Sequence, residues 1–292
     1  MSNSVMLICS LAAALFGNIL RKYYTAASSG QLRDVFLFNA VCSAVSALIL
    51  WFWGGMGTVS VYTLLLGCVF GLVTVVQTVT NLRALELGPM SYTSVIISFS
   101  TVISAVSGAL FWNEKIQAAH LIGILFMLIS FVLAVKKEPG EKGFSLQWLV
   151  YCLIAFFCTG GIGIMQKIHQ SSTHKEELSA FLIVAFVMSF LSSLLLALTS
   201  GKKAAATGTS SQWILLGCML LCGVTVALNN KWNLYLSGVM DSAVFFPLVN
   251  GGGLVLTTLA AVLVFRETLT RKQWFGIVFG IASVIFLCNP FS

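Results

Sequence analysis

Charged residues are scarce in this sequence. Asp, Glu, Lys and Arg make up 9% of its 292 residues, whereas soluble domains average about 25%. Hydrophobic residues make up 58%, and only four prolines interrupt them. A chain with so little ionic surface could not keep itself dissolved, so the composition predicts a protein that lies within a membrane.

The chain also has no stretch left over for a second kind of domain. Apolar runs of roughly 20 residues, the length that crosses a bilayer as an α-helix, take up most of it. Continuous runs of this kind indicate helices rather than the alternating strands of a membrane barrel. A separate catalytic, nucleotide-binding or DNA-binding domain is therefore excluded. The ten predicted spans lie near residues 5–22, 35–53, 59–83, 90–112, 118–136, 145–168, 178–200, 212–236, 241–264 and 272–290.

Motifs of enzymes and of metal sites are missing as well. The sequence contains no HExxH, GxSxG or GxxxxGKS/T motif and no pair of aspartates within a span. None of its eight cysteines forms a CxxC pair, and no histidine or carboxylate stands at ligand spacing from them. We therefore expect no enzymatic activity, no metal and no cofactor. Any transport is expected to be driven by a gradient, because a nucleotide-binding loop is absent.

Basic residues give the chain a net charge of +7. They stand singly or in pairs at span ends, without the aromatic interleaving of a nucleic-acid surface. We interpret them as membrane-edge anchors and expect no nucleic-acid partner. Loops on one side hold twelve Lys and Arg and those on the other hold four, so the positive-inside rule places both termini outside.

The two halves of the chain resemble each other when the sequence is shifted against itself by 150 or 153 residues. Matches in the same order across five consecutive spans predict two homologous five-helix halves, 1–141 and 142–292. An odd number of spans inverts the second half relative to the first, an arrangement typical of alternating access. The matches include LLGC at 65–68 with 215–218, Glu114 with Glu267, and Gly123 with Gly276.

Short motifs at corresponding places of the two halves carry a family resemblance. Each half closes its fourth span with an acidic residue and opens its fifth with a glycine, and the first span of each ends in a lysine. Together with the ten spans, this pattern resembles the EamA-type members of the drug/metabolite transporter superfamily. The motifs are FWNEKI (111–116) with VFRETL (264–269), LIGI (121–124) with FGIV (275–278), and GNILRK (17–22) with GIMQK (163–167).

The resemblance implies an all-α integral membrane fold of ten transmembrane helices in two inverted five-helix repeats. It implies a transport cavity between the repeats, lined by their first, third and fourth spans. It also implies that both termini face the cytoplasm, opposite to the charge rule, so the orientation stays open. The chain departs from the small multidrug relatives, which rely on a glutamate in the first span, because residues 5–20 contain no acid.

No acidic residue lies near the middle of a predicted span. An ionisable group at the bilayer centre costs roughly 2.5–3.5 kcal/mol, so an acid placed there would have indicated a function. A buried carboxylate that exchanges a proton for an organic cation is therefore not expected. Glu114 and Glu267, which correspond in the repeat, are interpreted as helix caps or ion pairs at the membrane rim. A gating or coupling role is the alternative.

The polar side chains inside the spans are mostly amides, which concentrate in the first, third and fourth spans of the halves. An unpaired amide in an apolar setting costs about 1–3 kcal/mol, so each needs a partner. Bonding between helices explains any single amide equally well, but the set predicts a shared polar cavity. The candidate substrate-binding residues are Asn18, Gln77, Asn81, Gln166, Asn229, Asn230 and Asn250.

Asn250 is the strongest individual candidate because of its neighbours. Pro247 removes a helix hydrogen bond, and Gly251, Gly252 and Gly253 each lower helix propensity by about 1 kcal/mol relative to alanine. We expect a locally broken helix that turns backbone groups toward a ligand at the bilayer midplane. Close packing against a neighbouring helix is the alternative.

Basic and aromatic residues near span ends could also reach a cavity. Snorkelling to the interface is the plainer interpretation of the basic residues, and a cavity-facing position would suit a carboxylate or phosphate ligand. The aromatic residues fit either a cavity wall or an interfacial belt. The residues concerned are Lys22, Arg83, Lys167 and Lys231, and Tyr92, Trp232 and Tyr235.

The sequence as a whole predicts a secondary transporter, monomeric or homodimeric, in the plasma membrane of a bacterial cell. Its expected partners are the lipid bilayer and a small-molecule substrate that is moved by alternating access. Export of amino acids or similar neutral, zwitterionic or anionic solutes is the expected activity. Broad-specificity drug efflux is the alternative.

Overall fold

The computed structural model describes residues 2–27, 32–88, 90–134, 145–200, 209–265 and 269–288. Within these ranges the regular structure is helical and includes no strand. Long apolar runs favour this outcome because a helix satisfies its own backbone hydrogen bonds in hydrocarbon. The α-helices are α1 Asn3–Ala27, α2 Leu32–Gly54, α3 Val61–Leu87, α4 Met90–Ser98, α5 Thr101–Phe111, α6 Ala118–Ala134, α7 Leu146–Gln170, α8 Leu178–Thr199, α9 Thr209–Val239, α10 Ser242–Phe265 and α11 Arg271–Cys288.

All ten predicted spans correspond to helices, and their ends agree within five residues. The fourth span consists of two helices, α4 and α5, whose apolar part is Tyr92–Phe111. When this pair is counted once, nine segments in the described ranges are long and apolar enough to cross a membrane, and α6 is somewhat shorter. The prediction of an all-α, multi-pass membrane protein is confirmed.

The chain divides into two compact units, each of which draws on both halves of the sequence. Unit 1 comprises Met1–Val75 and His169–Tyr235, and unit 2 comprises Val76–Ile168 and Leu236–Ser292. The predicted division into homologous halves concerns sequence ancestry, and its boundary after residue 141 lies outside the described residues. That division stays a prediction.

In unit 1, α2 packs along α8. These two helices are the second spans of the predicted halves. Ser43 Oγ donates to Ser189 Oγ at 3.2 Å, and Asn39 Nδ2 donates to Ser193 Oγ at 3.2 Å. Such bonds help to hold helices together in a membrane, where contact between apolar surfaces is not itself a driving force.

In unit 2, α6 packs along α11, and these are the fifth spans of the predicted halves. Ser130 Oγ donates to Gly276 O, and Ser283 Oγ donates to Gly123 O, both at 2.7 Å. The two bonds are reciprocal, because a shift of 153 residues converts one into the other. A two-fold relation between two copies of one motif produces such a pair of contacts. The bonds therefore support the proposal of inverted repeats.

The predicted break in the ninth span is wrong. α10 runs without interruption from Ser242 to Phe265, through Pro247 and through Gly251, Gly252 and Gly253. Pro247 removes one backbone donor, and membrane helices tolerate this because neighbouring groups satisfy the freed carbonyl. Leaving the helix at the glycines would deprive several backbone groups of partners in hydrocarbon, which costs more than their low propensity.

The interruption lies instead in the fourth span, at Phe99 and Ser100 between α4 and α5. Ser100 N–H donates to Ile97 O at 3.1 Å, and Val102 N–H donates to Phe99 O at 3.0 Å. Each bond reaches back three residues instead of four, which tightens the chain locally. A tight turn of this kind inside a span often marks a hinge or a functional position.

Candidate substrate site

The amides predicted to bind substrate differ in whether the protein itself supplies their partners. In unit 1, Asn229 Nδ2 donates to both the carbonyl and the hydroxyl oxygen of Ser10, each at 3.0 Å. Asn230 Nδ2 donates to Val226 O, one turn earlier in α9, at 2.9 Å. Asn18 is exposed, and it too has an interaction partner within the protein. The contacts of Asn229 and Asn230 favour a packing role for both.

Asn233, which the sequence analysis missed, completes the polar link between α1 and α9. Ser10 Oγ donates to Asn233 Oδ1 at 2.6 Å, and Asn233 Nδ2 donates to Asn229 Oδ1 at 3.2 Å. Ser10 is fully buried, so this network satisfies atoms whose desolvation would otherwise cost about 1–3 kcal/mol. The spacing of four residues between Asn229 and Asn233 could have indicated this role from the sequence, since it places both side chains on one helix face.

In unit 2, three of the predicted amides have no such partners among the residues that the structure describes. The side chains of Gln77, Asn81 and Gln166 form no hydrogen bond within the part of the chain that the structure describes. Gln77 and Asn81 are half-buried and lie four residues apart, on the same face of α3. Gln166 on α7 is only 8% exposed. Unfilled donors and acceptors in an apolar setting are what a polar ligand would satisfy.

Asn250 lies beside the interruption of the fourth span. Its Nδ2 donates to Thr101 Oγ1 at 3.0 Å, and Thr101 is the first residue of α5, directly after the tight turn. The Asn250 side chain is nevertheless exposed. Asn250 therefore stays a candidate for contact with substrate, with its amide group already donating to Thr101.

Glu114 and Lys167 form a buried ion pair in unit 2. Lys167 Nζ lies 2.7 Å from Glu114 Oε1, and it also donates to Met240 O at 3.0 Å. The side chains of Lys167 and Glu114 are only 7% and 10% exposed. Snorkelling is therefore the wrong interpretation of Lys167, because the carboxylate and the carbonyl hold its ammonium group inside the protein.

Glu114 also caps a helix, as its sequence position suggested. Its Oε2 accepts the backbone N–H of Ser242 at 2.7 Å, in the first turn of α10, where the helix dipole favours negative charge. Asn113, directly before Glu114, has a φ of 54°, and the backbone N–H of Glu114 donates back to Gly108 O at 3.2 Å. Asn tolerates this left-handed conformation better than most residues. A side chain at Gly108 would overlap the carboxylate, so glycine is required there.

The remaining candidates lie near span ends or in loops. Arg83 forms an exposed ion pair with Glu86 at 2.8 Å on the same helix, a contact worth at most about 1 kcal/mol. Lys231 is half-buried, and its Nζ lies 4.1 Å from the ring centroid of Trp53. Glu267 lies outside the described residues. Lys22, Tyr92 and Tyr235 are exposed, and Trp232 is half-buried.

Known proteins resemble the chain in both sequence and fold. Residues 146–289 match the EamA-like transporter family. A solved crystal structure of a protein aligns with a TM-score of 0.77 and 15% identity, over 98% of this chain and 96% of the other. At this identity the likeness shows the fold alone. No curated protein matches the chain.

Proposed function

Since this chain belongs to the EamA-like transporter family, part of the drug/metabolite transporter superfamily, we propose that it exports amino acids or similar neutral, zwitterionic or anionic solutes. Family membership makes it a multi-pass membrane transporter for a small-molecule substrate. The solute class, the outward direction and the plasma membrane of a bacterial cell are parts of the proposal. Alternating access driven by a gradient is the proposed mechanism.

The observation that supports the proposal is the set of amides in unit 2 that have no hydrogen-bond partner among the described residues. Gln77, Asn81 and Gln166 offer both donors and acceptors, because each amide has an NH₂ group and a carbonyl oxygen. These groups match the ammonium, carboxylate and hydroxyl groups of amino acids and similar solutes. Lipophilic cations would gain more from a carboxylate, and the buried Glu114 is neutralised by Lys167.

A flux panel on the purified protein in liposomes tests the solute class. Radiolabelled amino acids are compared with the lipophilic cation tetraphenylphosphonium, with and without a pH gradient. We expect amino acid flux well above that of protein-free liposomes, and no comparable flux of the cation. Flux of the cation alone would replace the proposal by broad-specificity drug efflux.

Gln166→Leu tests the role of the free amides. We expect the flux of the best amino acid to fall roughly 3- to 10-fold, which corresponds to one lost hydrogen bond of about 0.5–1.5 kcal/mol. Gln147→Leu is the matched control, because Gln147 is an exposed amide on the same helix. Equal flux in the two variants would show that Gln166 does not contact the solute.

A further inference from the structure

A second group of polar atoms without partners among the described residues lies in unit 1, where the end of α2, the start of α8 and α9 meet. Lys231 Nζ lies over the ring of Trp53, 4.1 Å from its centroid. Gly54, the last residue of α2, lies next to both Lys231 and Ser179. We call Lys231, Ser179, Trp53 and Gly54 the Lys231 niche.

Lys231 and Ser179 have unused hydrogen-bond donors within the described part of the chain. Among the described residues, Lys231 forms no ion pair or hydrogen bond, and the Ser179 hydroxyl forms no hydrogen bond. The contact with Trp53 stabilises the ammonium group by about 0.5–2 kcal/mol, but it fills none of the three N–H donors. A half-buried cation without an anionic partner is costly, so a negative ligand would stabilise this arrangement.

Gly54 lies close to both polar groups. A Cβ at Gly54 would lie 2.6 Å from Ser179 Oγ and 3.9 Å from Lys231 Nζ. Ser179 and Lys231 therefore flank the same position of α2, close enough for the two oxygens of one oxyanion to accept from both. The Trp53 ring is exposed and can cover an apolar part of the same ligand.

The dipole of α8 also favours an anion in the niche. Ser179 lies in the first turn of α8, where the helix dipole is positive. The neighbouring carboxylate of Glu177 is already engaged, because it accepts the N–H and the hydroxyl of Ser60 at 3.0 and 2.8 Å. Its second oxygen lies 3.4 Å from His174 Nδ1.

We propose that the Lys231 niche is an oxyanion site that takes a carboxylate or phosphate group. Lys231 supplies the charge, Ser179 a second hydrogen bond and Trp53 an apolar wall. The oxyanion belongs either to the transported solute or to the headgroup of an anionic lipid. The first source rests on the proposed function, since it narrows the solutes to those with a negative group.

Equilibrium binding to the full-length protein in an uncharged detergent separates the two sources. One arm titrates L-glutamate as the soluble carboxylate. The other arm titrates short-chain phosphatidylglycerol, with phosphatidylcholine as the reference without net charge. The signal is the change in tryptophan emission that Trp53→Phe removes, since Trp53 lies against the ammonium group.

Lys231→Gln is expected to weaken binding about tenfold in the arm that supplies the ligand, because one charged hydrogen bond is lost. Lys231→Arg should retain most of the affinity. Lys272→Gln, an exposed lysine at the start of α11, is the matched control and should bind as the wild type does. Gly54→Ala keeps the charge but places a methyl group against Ser179 and beside Lys231, so it tests the site independently if Lys231→Gln does not fold.

A loss of affinity in the Lys231→Gln variant, in either arm, supports the oxyanion site. The arm in which the loss occurs identifies the oxyanion as that of a solute or of a lipid headgroup. Equal binding of both ligands by the wild type, Lys231→Gln and Gly54→Ala would overturn it. Binding is measured without flux, so the outcome is independent of the flux panel. Lys231-dependent binding without amino acid flux would support the oxyanion site and refute the proposed function. Amino acid flux without Lys231-dependent binding would refute the oxyanion site and support the proposed function.

Discussion

Glu114 and Lys167 depend on each other inside unit 2. Each is almost fully buried. Lys167 also donates to the carbonyl of Met240, and Glu114 also accepts from the N–H and the hydroxyl of Ser242. Removing one charge leaves the other without compensation in an apolar setting, which costs far more than an exposed pair contributes. The pair thus ties the segment after α5 to α7 and to the start of α10.

Glu114→Gln is expected to lower the free energy of unfolding by about 3–5 kcal/mol. The reason is that Lys167 would keep its charge in a buried position without a counter-ion. Denaturant unfolding of the purified protein in detergent measures the change. The double variant Glu114→Gln with Lys167→Met should recover most of the loss, since it removes both charges.

Glu86→Gln is the control for this prediction, because Glu86 pairs with Arg83 at the surface. We expect a change of at most about 1 kcal/mol there. Similar effects of Glu114→Gln and Glu86→Gln would contradict the view that burial makes the Glu114 pair important.

At the residue scale, the sequence predicted the kind of polar group but not its partners. The amides were recognisable as a set, yet Asn229 is hydrogen-bonded to Ser10, while the Gln166 side chain has no partner within the described ranges. The difference depends on how each helix is rotated and on what the facing helix offers. Periodicity is a weak guide to rotation in spans that are apolar on all sides, so the partner of Glu114, 53 positions further along the chain, was also missed.

At the scale of helices, α6 and α11 carry the clearest sign of internal symmetry. The bonds from Ser130 to Gly276 and from Ser283 to Gly123 have the same length and exchange under one sequence shift. The sequence alone did not identify either serine as a contact residue. Serine is common in membrane helices, so two serines at corresponding positions are weak evidence of a repeat. The reciprocity becomes visible only when the contact is known.

Ser130→Ala and Ser283→Ala are expected to destabilise the protein equally, by about 0.5–1.5 kcal/mol each. Each change removes one of two equivalent bonds and leaves one buried carbonyl without that donor. Thermal unfolding in detergent compares the two variants with Thr199→Val, whose hydroxyl bonds only to its own helix. A clear loss in one serine variant and none in the other would contradict the two-fold relation.

Helix bounds were predictable, whereas interruptions within spans were not. Long apolar runs fix where a helix enters and leaves hydrocarbon, which explains the agreement within five residues. Helix propensities measured in water wrongly predicted a break in α10, since glycine and proline break a helix more readily when water can bond to the freed backbone groups. The turn at Phe99 and Ser100 contains neither glycine nor proline, so no local sequence pattern predicted it.

At the scale of the whole chain, the sequence predicted the family and the membrane fold, and both are confirmed. It did not predict that the compact units draw on both halves of the chain. Contacts such as those between α2 and α8 join spans that are far apart in sequence, and a shift of the sequence against itself carries no information on such packing.

Counterflow in liposomes tests the central claim, that this protein carries a solute by alternating access, most directly. Liposomes are preloaded with an unlabelled amino acid and diluted into a trace of the same labelled compound, with no ATP and no ion gradient. We predict that the label rises transiently above its equilibrium level inside the liposomes, because outgoing and incoming solute share one site that faces the two sides in turn. A label that only equilibrates, or that enters no faster than in protein-free liposomes, for every amino acid of the panel, would contradict the account.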